Sequence, residues 1–237
     1  MPYKRILVKI SGEMLLGGQP FGIQEQACLN LAKTFQEMRN SGHEVACVIG
    51  GGNIFRGVTL NKMGVERTPA DQMGMLSTLI NGIALHQALK SLGAPSRLVS
   101  ALECPKVAET YNWSNALSYL SSGEIVIFVG GTGSPYFTTD TAAALRASEM
   151  KVDVLLKATK VDGVYSQDPH LHPDAKRYVE ISYTDYLSQK LGVMDATAVA
   201  LCMTNKIPVF VFSMENLGKI SINSLLSEKE KNGTLIS

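Results

Sequence analysis

Six short apolar runs, rich in β-branched residues, are spaced along the chain: Arg5–Ile10, Glu44–Ile49, Arg97–Val99, Ile125–Val129, Val154–Leu156 and Val209–Phe212. Their apolarity is nearly continuous, the pattern of strands buried on both faces rather than one. Helical patterns lie between them. Residues 25–41 carry Leu29, Ala32, Phe35 and Met38 at helical spacing and stop at Gly42; residues 71–91 behave likewise and end at Gly93. Parallel strands need crossover connections, and crossover helices cover the sheet, so the alternation predicts an α/β fold. The expectation is a three-layer α/β/α sandwich with a mainly parallel central sheet, residues 1–237 forming a single domain. Residues 159–183 are polar and contain Pro169 and Pro173; they read as a functional loop or hairpin, not a boundary.

Composition narrows the partners. The 22 Lys and Arg against 21 Asp and Glu leave a net charge of +1, so no bulk field draws this chain to nucleic acid or to an anionic membrane. Phosphate recognition, if present, is local. Cys28, Cys47, Cys104 and Cys202 are far apart without a CxxC pair, which predicts reduced, mostly buried thiols and no zinc site. No run approaches the roughly 18 apolar residues of a membrane span, and the N-terminus lacks a signal peptide pattern, so a cytoplasmic protein is expected. His170 and His172 read as an exposed loop, Met63, Met73 and Met75 as packing, and Glu228–Lys231 as a solvated surface.

Ligands of open parallel sheets collect at the carboxyl ends of the strands. Four such places stand out: Lys9–Glu13, Gly50–Gly57, Gly130–Asp140 and Lys157–Tyr165. Glycines there let backbone N–H groups converge on an anion, and a helix beginning just beyond adds its positive end. No GxxxxGK[ST] or GxGxxG is present, which disfavours a P-loop enzyme and a dinucleotide dehydrogenase. Lys9 ends an otherwise apolar strand, where a cation is costly without an anion, and Arg56 offers a planar fork suited to phosphate oxygens. Asp140 and Asp195 could orient Lys9 or help place a metal; each also precedes a helical pattern and could serve as its N-cap.

These blocks, in this order and spacing, resemble the bacterial UMP kinase branch of the amino acid kinase family, from Lys4 to about Ile236. Asp71–Met75, Asp168–Pro169 and Val193–Asp195 extend the match. The resemblance implies transfer of the γ-phosphoryl of ATP to UMP with Mg²⁺. It implies Lys9 and Asp195 as a catalytic pair with Asp140 close by, and no separate set of protein metal ligands. ATP would bind at Lys9, Ile10, Ser11, Gly12, Gly52 and Arg56, with its adenosine near Thr159, Tyr165 and Asp168. UMP would take Gly51, Asp71 and Thr132, Gly133, Ser134, Pro135, Tyr136, Phe137, Thr138 and Thr139, Asp71 accepting from the ribose hydroxyls. The resemblance further implies a homohexamer under GTP activation and UTP inhibition. Arg97 and Trp113 fall in the effector region, although His86 stands where arginine is common and Trp113 reads better as a packed core or interface aromatic. Two other functions fit the same residues: a kinase of the family with an acetylglutamate, glutamate, carbamate or isopentenyl phosphate acceptor, and a sensor that binds UMP without turnover.

Overall fold

Lys9 and Lys157 are direct neighbours in register on adjacent parallel strands, and the rest of the fold explains how the chain tolerates that. The computed structural model describes residues 3–55 and 64–237; Arg56 and Met63 lie outside them. The chain runs β1 (Arg5–Ile10), α1 (Glu25–Asn40), β2 (Glu44–Ile49), α2 (Arg67–Ser91), β3 (Ser96–Ser100), β4 (Glu109–Thr110), α3 (Trp113–Ser121) and β5 (Ile125–Val129). It continues through α4 (Thr139–Met150), β6 (Val154–Thr159), β7 (Glu180–Ile181), α5 (Tyr183–Ser188), α6 (Ala196–Asn205) and β8 (Val209–Ser213). The last elements are α7 (Ile222–Ser227), α8 (Lys229–Asn232) and β9 (Gly233–Ile236). The strands form one nine-stranded sheet in the order β4-β3-β5-β2-β1-β6-β8-β9-β7. Only β8 and β9 pair antiparallel; the other ladders are parallel, as the continuous apolar runs predict.

Side chains alternate along each strand and feed two cores. Ile6, Val8 and Ile10 of β1 pack with Phe35 of α1, Leu85 of α2 and Leu225 of α7. Leu7 joins Leu120 of α3, Ala143 and Ala147 of α4 and Val199 of α6 on the opposite face. Two helical layers around a sheet result.

At several places the structure extends, corrects or decides the sequence reading. β6 runs to Thr159, because its ladders with β1 and β8 continue past Leu156, so Lys157 sits inside a strand and not in the turn after it. Thr138, not Asp140, caps α4, accepting from the N–H groups of Asp140 and Thr141; Asp140 lies in the first turn, its carboxylate freed from capping. Asp195 does cap α6, accepting from Ala198 N–H at 2.8 Å. Trp113 is 57% exposed at the start of α3, so it is not a core residue of this chain.

The 159–183 stretch folds back as expected, with Tyr165 bridged to Arg177, and Arg177 Nη1 donating to Gly233 O at 2.8 Å to fix its base. Among the described residues, no helix is long and apolar enough to cross a membrane.

Candidate active site

The parity of β1 and β6 puts Lys9 and Lys157 on the same face as Leu7 and Leu155, the face covered by α4. Two ammonium groups side by side in a sheet repel. Asp140, on the first turn of α4, sits between them: its Oδ1 lies 2.8 Å from Lys9 Nζ, and both its oxygens lie 2.7 Å from Lys157 Nζ. All three side chains are largely buried. Burial alone would raise the Asp140 carboxyl, but the two ammonium groups outweigh it and hold it below the ordinary carboxylate range. The helix N-terminus supports the same charge. Desolvation first, then the neighbouring Lys9 charge, lowers Lys157 from 10.5 to about 8, with Asp140 opposing.

That shift predicts a pH dependence. If protonated Lys157 is needed for turnover, kcat/KM falls as pH rises through about 8 in the free enzyme, and kcat falls at higher pH because bound phosphates hold the proton. Stability moves oppositely. The unfolded chain keeps this proton to about 10.5, so the folded chain gains stability between about 8 and 10.5. A pH–rate profile flat to pH 10 would show that the lysine charge is not used.

Two clefts open at this edge of the sheet. One, of about 530 Å³, opens above the β2 and β5 ends and is lined by Gly51, Gly52, Asp71, Thr78, Gly131, Phe137, Thr138 and Thr139, among others. The other, also about 530 Å³, opens beyond β6 and is lined by Thr159, Lys160, Tyr165, Asp168 and Val193. Since β1 and β6 are adjacent in the sheet, the triad lies between the two.

The turns of the first cleft are held from below by a buried amide pair. Asn53 and Asn81 exchange hydrogen bonds at 2.7 and 2.9 Å, and Asn81 also donates to Gly50 O at 2.7 Å. A Cβ on Gly12 would come within 2.2 Å of Asn53 Oδ1, which is why the chain needs glycine there. This pair escapes sequence reading; an asparagine at position 81 in a helix with apolar neighbours is the only signal.

The expected site residues fall as follows. Lys9 and Asp140 meet, whereas the described bonds of Asp195 go to Thr138 Oγ1 at 2.6 Å, Thr141 Oγ1 at 3.1 Å and Ala198 N–H. Asp195 thus ties the N-termini of α4 and α6 together. Ile10, Ser11 and Gly12 follow Lys9 at the β1 end, and Ser11 Oγ accepts from Glu13 N–H. Lys160 Nζ reaches Glu13 Oε2 at 2.7 Å, joining the turns after β1 and β6. Thr159, Tyr165 and Asp168 share the second cleft; Gly52, expected with ATP, lines the first. Of residues 132–139, only Phe137, Thr138 and Thr139 line the first cleft, while Thr132 and Ser134 line a hollow beside α4 and α6. Arg56 lies outside the described residues.

The model of the amino acid kinase family matches residues 4–213. The chain belongs to the amino acid kinase family. Its fold is that of solved UMP kinase structures. A uridylate kinase of Protochlamydia amoebophila is 58% identical over 233 residues, 98% of this chain and 92% of that protein. The crystal structure of UMP kinase from Bacillus anthracis superposes with a TM-score of 0.93 at 37% identity, covering 100% of this chain and 97% of that one. UMP kinase from Ureaplasma parvum gives 0.91 at 38% identity, covering 100% of each.

Proposed function

We propose that this chain is a UMP kinase, transferring the γ-phosphoryl of ATP to UMP to give UDP and ADP in pyrimidine nucleotide synthesis. The observation that carries the reading is the buried Lys9–Asp140–Lys157 triad at the sheet edge where the two clefts open. Such a layout suits in-line transfer between two nucleotides. Phosphoryl transfer runs through a loose transition state with charge spread over equatorial oxygens, so cations and positioning supply most of the acceleration. Lys9 and Lys157 face that charge. Asp140 holds both lysines in place, and Asp195 positions α4 through Thr138 and Thr141. UMP attacks with a phosphate oxygen that is already an anion, so no general base is required.

ATP is assigned to the β6 side, its adenosine at Thr159, Tyr165 and Asp168, and its phosphates to the turn Ile10–Gly12 with Gly52 and Arg56. UMP is assigned to the β2/β5 side, its ribose at Asp71. The donor set suits a magnesium ion brought in on ATP: Asp140 and Asp195 already accept from lysines, hydroxyls and an N–H, so phosphate oxygens and water would be its main ligands. A bound magnesium ion would supply neutralisation of phosphate charge, while Lys9 and Lys157 supply the cations that belong to the chain.

The same reading places the enzyme in the cytoplasm, as a homohexamer with GTP and UTP as effectors. An anionic effector at Arg97 would compete with Glu124, 2.7 Å from its Nε, and with stacking on Tyr119 at 4.7 Å.

An ADP-release assay with ATP and each of UMP, CMP, acetylglutamate and carbamate tests the acceptor. UMP is expected to be preferred; turnover with an amino acid substrate and none with UMP would overturn the assignment. Binding of UMP with no ADP released from any acceptor would favour a sensor.

A further inference from the structure

Arg67, the first residue of α2, is the one basic side chain among the described residues lining the first cleft, and none of the roles above uses it. Its Nε donates to Asp71 Oδ2 at 2.7 Å, and its guanidinium carbon lies 5.5 Å from the centre of the Tyr136 ring. The Tyr136 N–H donates to the same Asp71 oxygen, also at 2.7 Å. Two donors from distant segments thus meet on one carboxylate oxygen. Tyr136 has φ of 73°, a left-handed conformation that costs a non-glycine residue of order 1 kcal/mol or more and persists only where its surroundings enforce it. Its ring is 64% exposed, so hydrophobic burial does not enforce it. Its N–H bond to Asp71 and the Arg67 guanidinium beside its ring are contacts that support it.

We infer that Arg67 and Tyr136 are a positioning pair that fixes the Asp71 carboxylate, so that the bond to the ribose and the placement of the 131–139 turn are set together. This rests on the reading of the first cleft as the UMP side. With Oδ2 occupied twice, Oδ1 is left to face the ribose, and its direction is set by the two bonds on Oδ2. A guanidinium suits this better than an ammonium, because its Nε can bond the carboxylate while its plane stacks on a ring. Sugar recognition and turn geometry therefore respond together when either partner is lost.

The test is steady-state kinetics of the whole enzyme with UMP and dUMP as acceptors. Arg67→Ala is expected to raise the UMP KM about tenfold, the scale of one charge-assisted hydrogen bond, with kcat and the ATP KM within about twofold. The UMP over dUMP preference should shrink by a similar factor, since the misplaced carboxylate no longer favours the ribose. Arg67→Lys should restore only part of the loss. Tyr136→Gly removes the ring while keeping the left-handed backbone available, and combined with Arg67→Ala it should add less than its separate effect. The proposal fails if Arg67→Ala leaves the UMP KM and the dUMP preference unchanged. It fails equally if the ATP KM rises as much, or if the two substitutions multiply as independent changes. Absence of UMP turnover by the unaltered enzyme would overturn the function itself instead.

Discussion

Replacing Lys9 with alanine is expected to lower kcat about 10²-fold or more, with a smaller change in UMP KM. That is the scale for losing a preorganised group aimed at developing charge. The reasoning starts in the strand. Lys9 interrupts an apolar β1 whose neighbours are fully buried, so the ammonium is held without solvent and needs little reorganisation when the transferring group arrives. The substitution also removes one of two cations competing for Asp140, so the protein should remain folded and the loss be read cleanly from kcat. A purified Lys9→Ala enzyme with near-normal kcat would remove Lys9 from the reaction.

The second large effect is expected at Asp140. Asp140→Asn keeps the size of the side chain but leaves two ammonium groups as register neighbours in a nearly dry site. Breaking a buried ion pair by removing one partner costs about 3–5 kcal/mol, and here the carboxylate serves two partners. A marked drop in the urea midpoint is therefore expected. Lys157 would then release its proton more readily, since the charge that opposes desolvation is gone, and the basic limb of the pH profile should move below about 8. Urea denaturation and a pH–rate profile check this together. Unchanged midpoint and unchanged limb would mean that Asp140 is not the counter-charge.

These two experiments depend on different amounts of sequence information. Lys9 was conspicuous, because a lysine at the end of an otherwise apolar run asks for an anion. Lys157 reads only as the first residue of a turn, because the apolar run before it stops at Leu156. Only the register of β6 against β1 shows that a ladder carries the strand through Lys157 and sets it beside Lys9. Periodicity gives the face of a residue within its own strand; pairing between strands 150 residues apart is a long-range property that a one-dimensional pattern does not hold.

The limits of β1, β2 and β5 are legible to the residue because polar residues or glycine flank each apolar run. The two-residue strands β4 and β7 are not, since two residues carry no period. At α4 the cap is Thr138, two residues before the Asp140 that the sequence offers, and the aspartate turns to the lysines instead. The blocks that carried the family resemblance did place the glycine turns and Asp71 around one cleft. They could not divide the 132–139 turn, whose Phe137, Thr138 and Thr139 face the cleft while Thr132 and Ser134 line the hollow beside α4 and α6.

The register of β1 against β6 has one more consequence. The two cations are spaced by the hydrogen bonds of a central parallel ladder, whereas the surfaces that would choose the acceptor and the nucleotide are turns hung from its edge. Geometry supplied by strands is stiffer than geometry supplied by loops. The lysine pair is accordingly insulated from the turns around it. Lengthening or exchanging a turn can redirect which molecule is phosphorylated without moving the lysines, and a chain built this way can diversify its substrates on a fixed chemical core.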